Sequence, residues 1–179
     1  GIRDRDVTGV QTCALPICEL ALRGLCLALL ITPLRVLSGW PEWARLRRML
    51  GLIAFTYALL HMLCYSALDM GFEWMDIAKD IAKRPFILVG TLTFVILLAL
   101  ALTSFNAAIR RLGARRWQAL HRTVYVAAAL AVLHFYWMRA GKNNWNDVWL
   151  YGFILAALLA RSEEHTSELQ SHHDLVCRL

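Results

Sequence analysis

Charge is scarce in this chain. Asp, Glu, Lys and Arg make up 18% of its 179 residues, against roughly one quarter in a soluble domain. That scarcity argues against a water-soluble globule. The five cysteines form no CxxC pair and no spacing typical of a disulfide framework. Cys26 and Cys64 fall within apolar stretches, where cysteine behaves as a small buried hydrophobe. Cys13, Cys18 and Cys177 fall in the polar ends. Acidic residues are outnumbered 13 to 19, for a net charge of +6. The basic excess lies in short loops between apolar blocks, which marks membrane topology rather than nucleic-acid binding.

What the chain has instead is apolar length. It is 59% hydrophobic, in blocks of about 20 residues, enough to cross a hydrocarbon core of roughly 30 Å. The expected fold is all-α, a polytopic transmembrane helical bundle with about five spans present. The spans are Leu20 to Leu37, interrupted by Arg23 and Pro33; Met49 to Met70; Phe86 to Phe105, led by Pro85 at a favoured helix start; Gln118 to Met138; and a short fifth from Val148 to Ala160. Gly1 to Cys18 and Arg161 to Leu179 are polar and show no sustained apolar face. Both resemble translated sequencing-adapter read-through. We expect a foreign leader at 1–18, a transmembrane domain at 19–160 and a foreign tail at 161–179. His165, His172 and His173, with Glu163, Glu164 and Asp174, are accordingly not taken as a metal site.

The loops orient the spans. Arg45, Arg47 and Arg48 precede the second span, and Arg110, Arg111, Arg115 and Arg116 precede the fourth with no acid among them. Positive loops stay inside. The 71–85 loop, where Lys79, Lys83 and Arg84 face Glu73, Asp76 and Asp80, then lies outside, as does 139–147. Trp40, Trp43, Trp74, Trp117, Trp137, Trp145 and Trp149 fall at or near the interfaces, as an aromatic belt does.

Three histidines lie in the spans: His61, His121 and His134. An ionisable side chain at membrane depth is a functional candidate by default, and neutral imidazole is the commonest metal ligand. At 1.5 Å per residue, His61 lies about 18 Å from the inner end of its span and His134 about 24 Å along a helix running the same way. The two are level within the uncertainty of the boundaries, in the outer half of the bilayer. They could clamp one haem iron as axial ligands. His121 lies only about 5 Å in. No histidine on the second span matches its depth, and counting back from His61 reaches Arg48. Its alternatives are a second ligand site, a cofactor contact or an interface anchor. A hydrogen-bonding role between helices is the competing reading for any one of the three.

The segments LLITPLR, RRMLGLIAFTYALLHMLCYSALD and KRPFILVGTLTFVILLALALTSFNAAIRRLGARRWQALHRTVYVAAALAVLHFYW resemble the MsrQ (formerly YedZ) family, within the ferric-reductase-like transmembrane superfamily. The element from Trp117 to Tyr125, the spacing from His121 to His134 and the motif at Arg47 to Gly51 carry the likeness. The resemblance implies a b-type haem electron carrier of the bacterial inner membrane, with one or two haems. It implies His61 and His134 as iron ligands and His121 as the third family histidine. It implies electrons arriving from the quinone pool or a cytoplasmic flavin reductase, with FMN as a further cofactor. It implies MsrP, a periplasmic molybdopterin methionine sulfoxide reductase, as the partner in which catalysis resides. It also implies that a family span before Leu20, the end of the last spans and the cytoplasmic tail are missing here. Arg139, just beyond His134, is a candidate for pairing haem propionate, or else an interface charge. The Arg110 to Arg116 cluster is a candidate flavin-phosphate contact, or else a topology signal. The competing functions are a ferric-reductase-like protein that reduces metal ions and a non-haem structural or transport protein.

Overall fold

The structure is a computed structural model that describes residues 7–40, 42–140 and 149–157. Among these residues every regular element is helical. Helix α1 is Val7–Ser38, α2 is Trp43–Cys64, α3 is Trp74–Lys83, α4 is Pro85–Leu102, α5 is Asn106–Leu112, α6 is Ala114–Arg122 and α7 is Val124–Ala140. A further helical stretch, α8, covers 149–157. Four segments are long and apolar enough to cross a membrane: Pro16–Arg35, Arg45–Asp69, Pro85–Leu102 and Ala114–Arg139. The expected all-α polytopic bundle is what forms.

Several elements differ in detail from the sequence expectation. Helix α1 begins at Val7, so the second half of the expected leader continues the first span without a break. A helix propagates readily once a nucleus exists, and the apolar stretch behind it supplies that nucleus. The expected 71–85 loop is instead mostly α3. Trp74, Ile77, Ala78 and Ile81 recur at helical spacing, with Asp76, Asp80, Lys79 and Lys83 on the other side. Ile77 is buried. Between α2 and α3 lies a single π turn, Tyr65–Asp69, followed by Gly71 and Phe72 at φ of 56° and 60°. The fourth span is two helices that meet at Thr123. Its N–H and hydroxyl both bond the Leu120 carbonyl, at 3.0 and 2.7 Å. This joint lies two residues past His121, between the two histidines of that span. The expected fifth span is described only over 149–157, and the tail with its three histidines lies outside the described residues.

Several threonine hydroxyls in the spans are satisfied locally, as lipid favours. The hydroxyls of Thr56, Thr91 and Thr93 each bond the carbonyl four residues back, at 2.8–2.9 Å. Helices α1 and α2 form the most extensive contact in the bundle. They approach closely because Gly24 has no side chain: a Cβ there would sit 3.2 Å from the Ala54 Cβ. Small residues at such crossings are the usual means of tight packing in membranes. Helix α4 packs on α7. One core cluster gathers Leu25, Leu29, Ala54, Leu97, Ala127, Ala128 and Leu155, and a second gathers Leu22, Cys26, Phe135 and Tyr151. Many outward leucines and isoleucines of α1, α2 and α4 remain exposed, as lipid-facing surfaces do.

Candidate functional site

His61 on α2 and His134 on α7 meet. Their ring centroids are 6.1 Å apart with the planes at 75°. A cavity of about 410 Å³ surrounds them, walled by α1, α2, α4 and α7 through apolar residues such as Leu22, Leu25, Phe94 and Leu97. That volume lies within the range of small-molecule and cofactor sites, roughly 300–1,000 Å³.

The ring of His134 is fixed from behind. Its Nδ1 lies 2.7 Å from the Phe86 carbonyl. A carbonyl only accepts, so Nδ1 carries the proton and Nε2 keeps its lone pair. An outer-shell hydrogen bond of this type orients a metal-binding histidine. Gly90, one turn beyond Phe86 on α4, supplies the floor. A Cβ at Gly90 would fall 2.7 Å from Cε1, 2.8 Å from Nδ1 and 3.3 Å from Nε2 of His134. The ring occupies the space that any side chain there would take.

Metal-ligand atoms of His61, His134 and Cys18 all lie within 4.8 Å of one another. A metal–imidazole bond is about 2 Å, so two nitrogens at this range can share one metal atom between them. The donor set suits a bis-histidine haem. Cys18 is a residue that sequence reasoning assigned to the leader. Its place is legible only from register, because Cys18, Leu22 and Leu25 recur on one face of α1. Its sulfur sits beside the gap between the rings. A planar macrocycle seated there requires the thiol to turn aside, which rotation about χ1 allows.

The rim of this cavity also departs from expectation. Arg139 does not line it. Its Nη2 donates to Glu19 Oε2 at 3.2 Å, and its guanidinium lies 5.2 Å from the Phe135 ring centre. Glu19 also pairs with Arg23. The Tyr151 hydroxyl accepts from Arg23 Nε at 2.8 Å and donates to Glu19 Oε1 at 3.3 Å. This ionic knot ties α1, α7 and α8. The cation on the cavity rim is Arg84, with Tyr65 and Asp69 nearby.

His121 belongs to a second cavity of about 980 Å³ at the arginine-lined end of the bundle. Its ring stacks on Trp117 at 4.1 Å, and its Nε2 lies 3.3 Å from Thr103 Oγ1. The Trp117 indole N–H donates to the Thr103 carbonyl at 2.9 Å. Trp117, expected as an interface anchor, is thus a wall of this site. Arg35, Arg47, Arg48 and Arg122 line the same cavity. Thr32 contributes a buried hydroxyl that has no hydrogen-bond partner among the described residues. The arginines of the 110–116 cluster do not line it, and they lie on α5 and α6. Leu25 and Leu97 face both cavities and form the partition between them.

The family described as ferric reductase like transmembrane component matches residues 15–132. The chain belongs to that family. It is a multi-pass membrane protein. It is 61% identical over 138 residues to the protein-methionine-sulfoxide reductase heme-binding subunit MsrQ of Polaromonas naphthalenivorans (strain CJ2), covering 77% of this chain and 63% of that protein. Identity to the MsrQ of Herminiimonas arsenicoxydans is 53% over 135 residues, covering 75% and 62%. Identity to that of Ralstonia nicotianae is 50% over 135 residues, with the same coverage. The chain thus spans a little under two thirds of these relatives' length. The ferric-reductase-like match begins at residue 15, so Cys18, Glu19 and Arg23 lie inside it.

Proposed function

We propose that this chain is the haem-binding electron-transfer subunit of a methionine sulfoxide reductase system in the bacterial inner membrane. In this reading it carries electrons outward from quinol or a cytoplasmic flavin reductase. The receiver is a periplasmic molybdopterin reductase of the MsrP kind, which repairs oxidised proteins. The observation that carries the reading is the meeting of His61 and His134 from two spans inside one apolar cavity. The names of the relatives support it.

A b-type haem held there supplies one-electron carriage between ferric and ferrous iron. The rest is the work of the chain. His61 and His134 would hold the iron, and with both imidazoles engaged the site would favour electron transfer over oxygen chemistry. Phe86 and Gly90 hold the His134 ring in one orientation. Leu22, Leu25, Phe94 and Leu97 exclude water, and burial of this kind tunes redox potential. The second cavity is proposed to take a second cofactor bearing acidic groups, a second haem or FMN. His121, Trp117 and Thr32 would meet its body, and the four arginines its anionic end, since guanidinium suits carboxylate and phosphate. The shared Leu25 and Leu97 partition would then leave two cofactors adjacent across the bilayer. A protein that reduces metal ions would use the same cavities, and dependence on MsrP separates the two readings.

The test is a visible spectrum of the membrane-purified chain, oxidised and then dithionite-reduced, beside His61→Ala, His134→Ala and His121→Ala. We expect a sharp b-type reduced spectrum, lost in the first two variants. The His121 variant should keep it. A chain that folds in membranes and takes up no haem when haem is supplied refutes the proposal.

A further inference from the structure

The outer rim of the histidine cavity holds a cation, Arg84, anchored through an ion pair to Asp80. Arg84 is the one extended residue between α3 and α4, at φ −114° and ψ 105°. Pro85 follows it and restricts it to this extended region. Its Nε donates to Asp80 Oδ1 at 3.0 Å. The other oxygen of Asp80 accepts the Tyr65 hydroxyl at 2.9 Å. The Asp80 side chain is 13% exposed, so this carboxylate is spent within the protein. Tyr65 is one turn beyond His61 on the same face, and Phe86, two residues after Arg84, holds His134. The rim cation and both imidazoles are therefore positioned by the same joint.

The bond to Asp80 engages Nε, and a guanidinium offers four further N–H donors in a planar fork that matches a carboxylate. Among the described residues lining this cavity, Arg84 is the one Lys or Arg; Asp69 is the other charged side chain, and it is exposed. We propose that Arg84 binds a carboxylate of the molecule seated between His61 and His134, and that Asp80 and Tyr65 are positioning residues that aim it. The proposal rests on the haem reading and names the part of the haem that is held, a propionate. It also gives the cavity a polarity: the acidic edge points outward, toward the side on which α3 lies.

The test uses the full chain in nanodiscs, loaded either with haem or with haem dimethyl ester, which lacks the two acidic charges. The readouts are the rate of haem loss to an excess of an apoprotein acceptor and the reduction potential. With haem, Arg84→Gln should lose it about 10- to 100-fold faster, the range for a hydrogen bond to a charged group. The potential should fall, because a cation that favours the reduced iron is gone. Arg84→Lys should restore part of both. Asp80→Asn and Tyr65→Phe should shift both readouts the same way by less. With the dimethyl ester, the unaltered chain should already lose its ligand at the faster rate, and Arg84→Gln should add nothing. Equal loss of haem and ester from the unaltered chain overturns the proposal without requiring any variant to fold. So does an Arg84→Gln variant that holds haem as firmly as its parent. An unaltered chain that binds neither compound overturns the haem reading itself, and this inference with it.

Discussion

Adding one methyl group at Gly90 tests the haem cavity at its tightest point. The alanine Cβ would stand 2.7 Å from His134 Cε1 and 2.8 Å from Nδ1. Carbon atoms in contact prefer roughly 3.5–4.0 Å, so the ring must retreat by about an ångström. It has little freedom to do so, because Nδ1 is bonded to the Phe86 carbonyl at 2.7 Å. Moving the ring breaks that bond or turns Nε2 away from His61. Overpacking of this kind typically costs about 1–3 kcal/mol, which corresponds to a loss of haem affinity of roughly 5- to 150-fold. The control is Gly152→Ala on α8, where nothing lies within 4 Å of the added Cβ. There alanine should be neutral or stabilise by up to about 1 kcal/mol through helix propensity. Haem titration of both variants, followed by the reduced spectrum, measures the difference. Gly90→Ala with parental affinity and an unshifted spectrum would show that His134 is not held where the reasoning needs it.

Cys18→Ala should retain the b-type spectrum and bind haem at least as well, because the thiol occupies space beside the rings. Loss of the spectrum would make the sulfur a ligand and displace the bis-histidine assignment. Glu19→Gln should lower the thermal midpoint in detergent by about 3 °C, since Glu19 holds Arg23, Arg139 and Tyr151 together; an unchanged midpoint would make the knot incidental. In a cysteine-free background, Lys79→Cys should react with a membrane-impermeant maleimide from the outer side and Arg115→Cys should not. The reverse pattern would invert the topology and move the histidine pair to the inner half.

The spans were legible because hydropathy is a local property. Twenty apolar residues name a membrane helix whatever packs against them, and the arginine loops orient it. The matched depth of His61 and His134 was legible for a related reason: helical rise is constant, so position in a span converts directly to height. Height alone leaves direction open, and the 13-residue interval between His121 and His134 shows why. The helices part at Thr123, and the two rings belong to different cavities. The α3 helix escaped notice because its charges balance and its apolar face is short. Gly90 and Phe86 are unremarkable in an apolar run, and the roles of Arg84 and Arg139 looked interchangeable from their positions at helix ends. Which arginine reaches the rim and which is drawn to Glu19 depends on how the helices cross. The sequence by itself determined that the chain crosses a membrane and which histidines share a level. Only the tertiary structure decided which side chains converge, because convergence depends on the rotation of each helix about its axis, and neighbouring helices fix that rotation by packing.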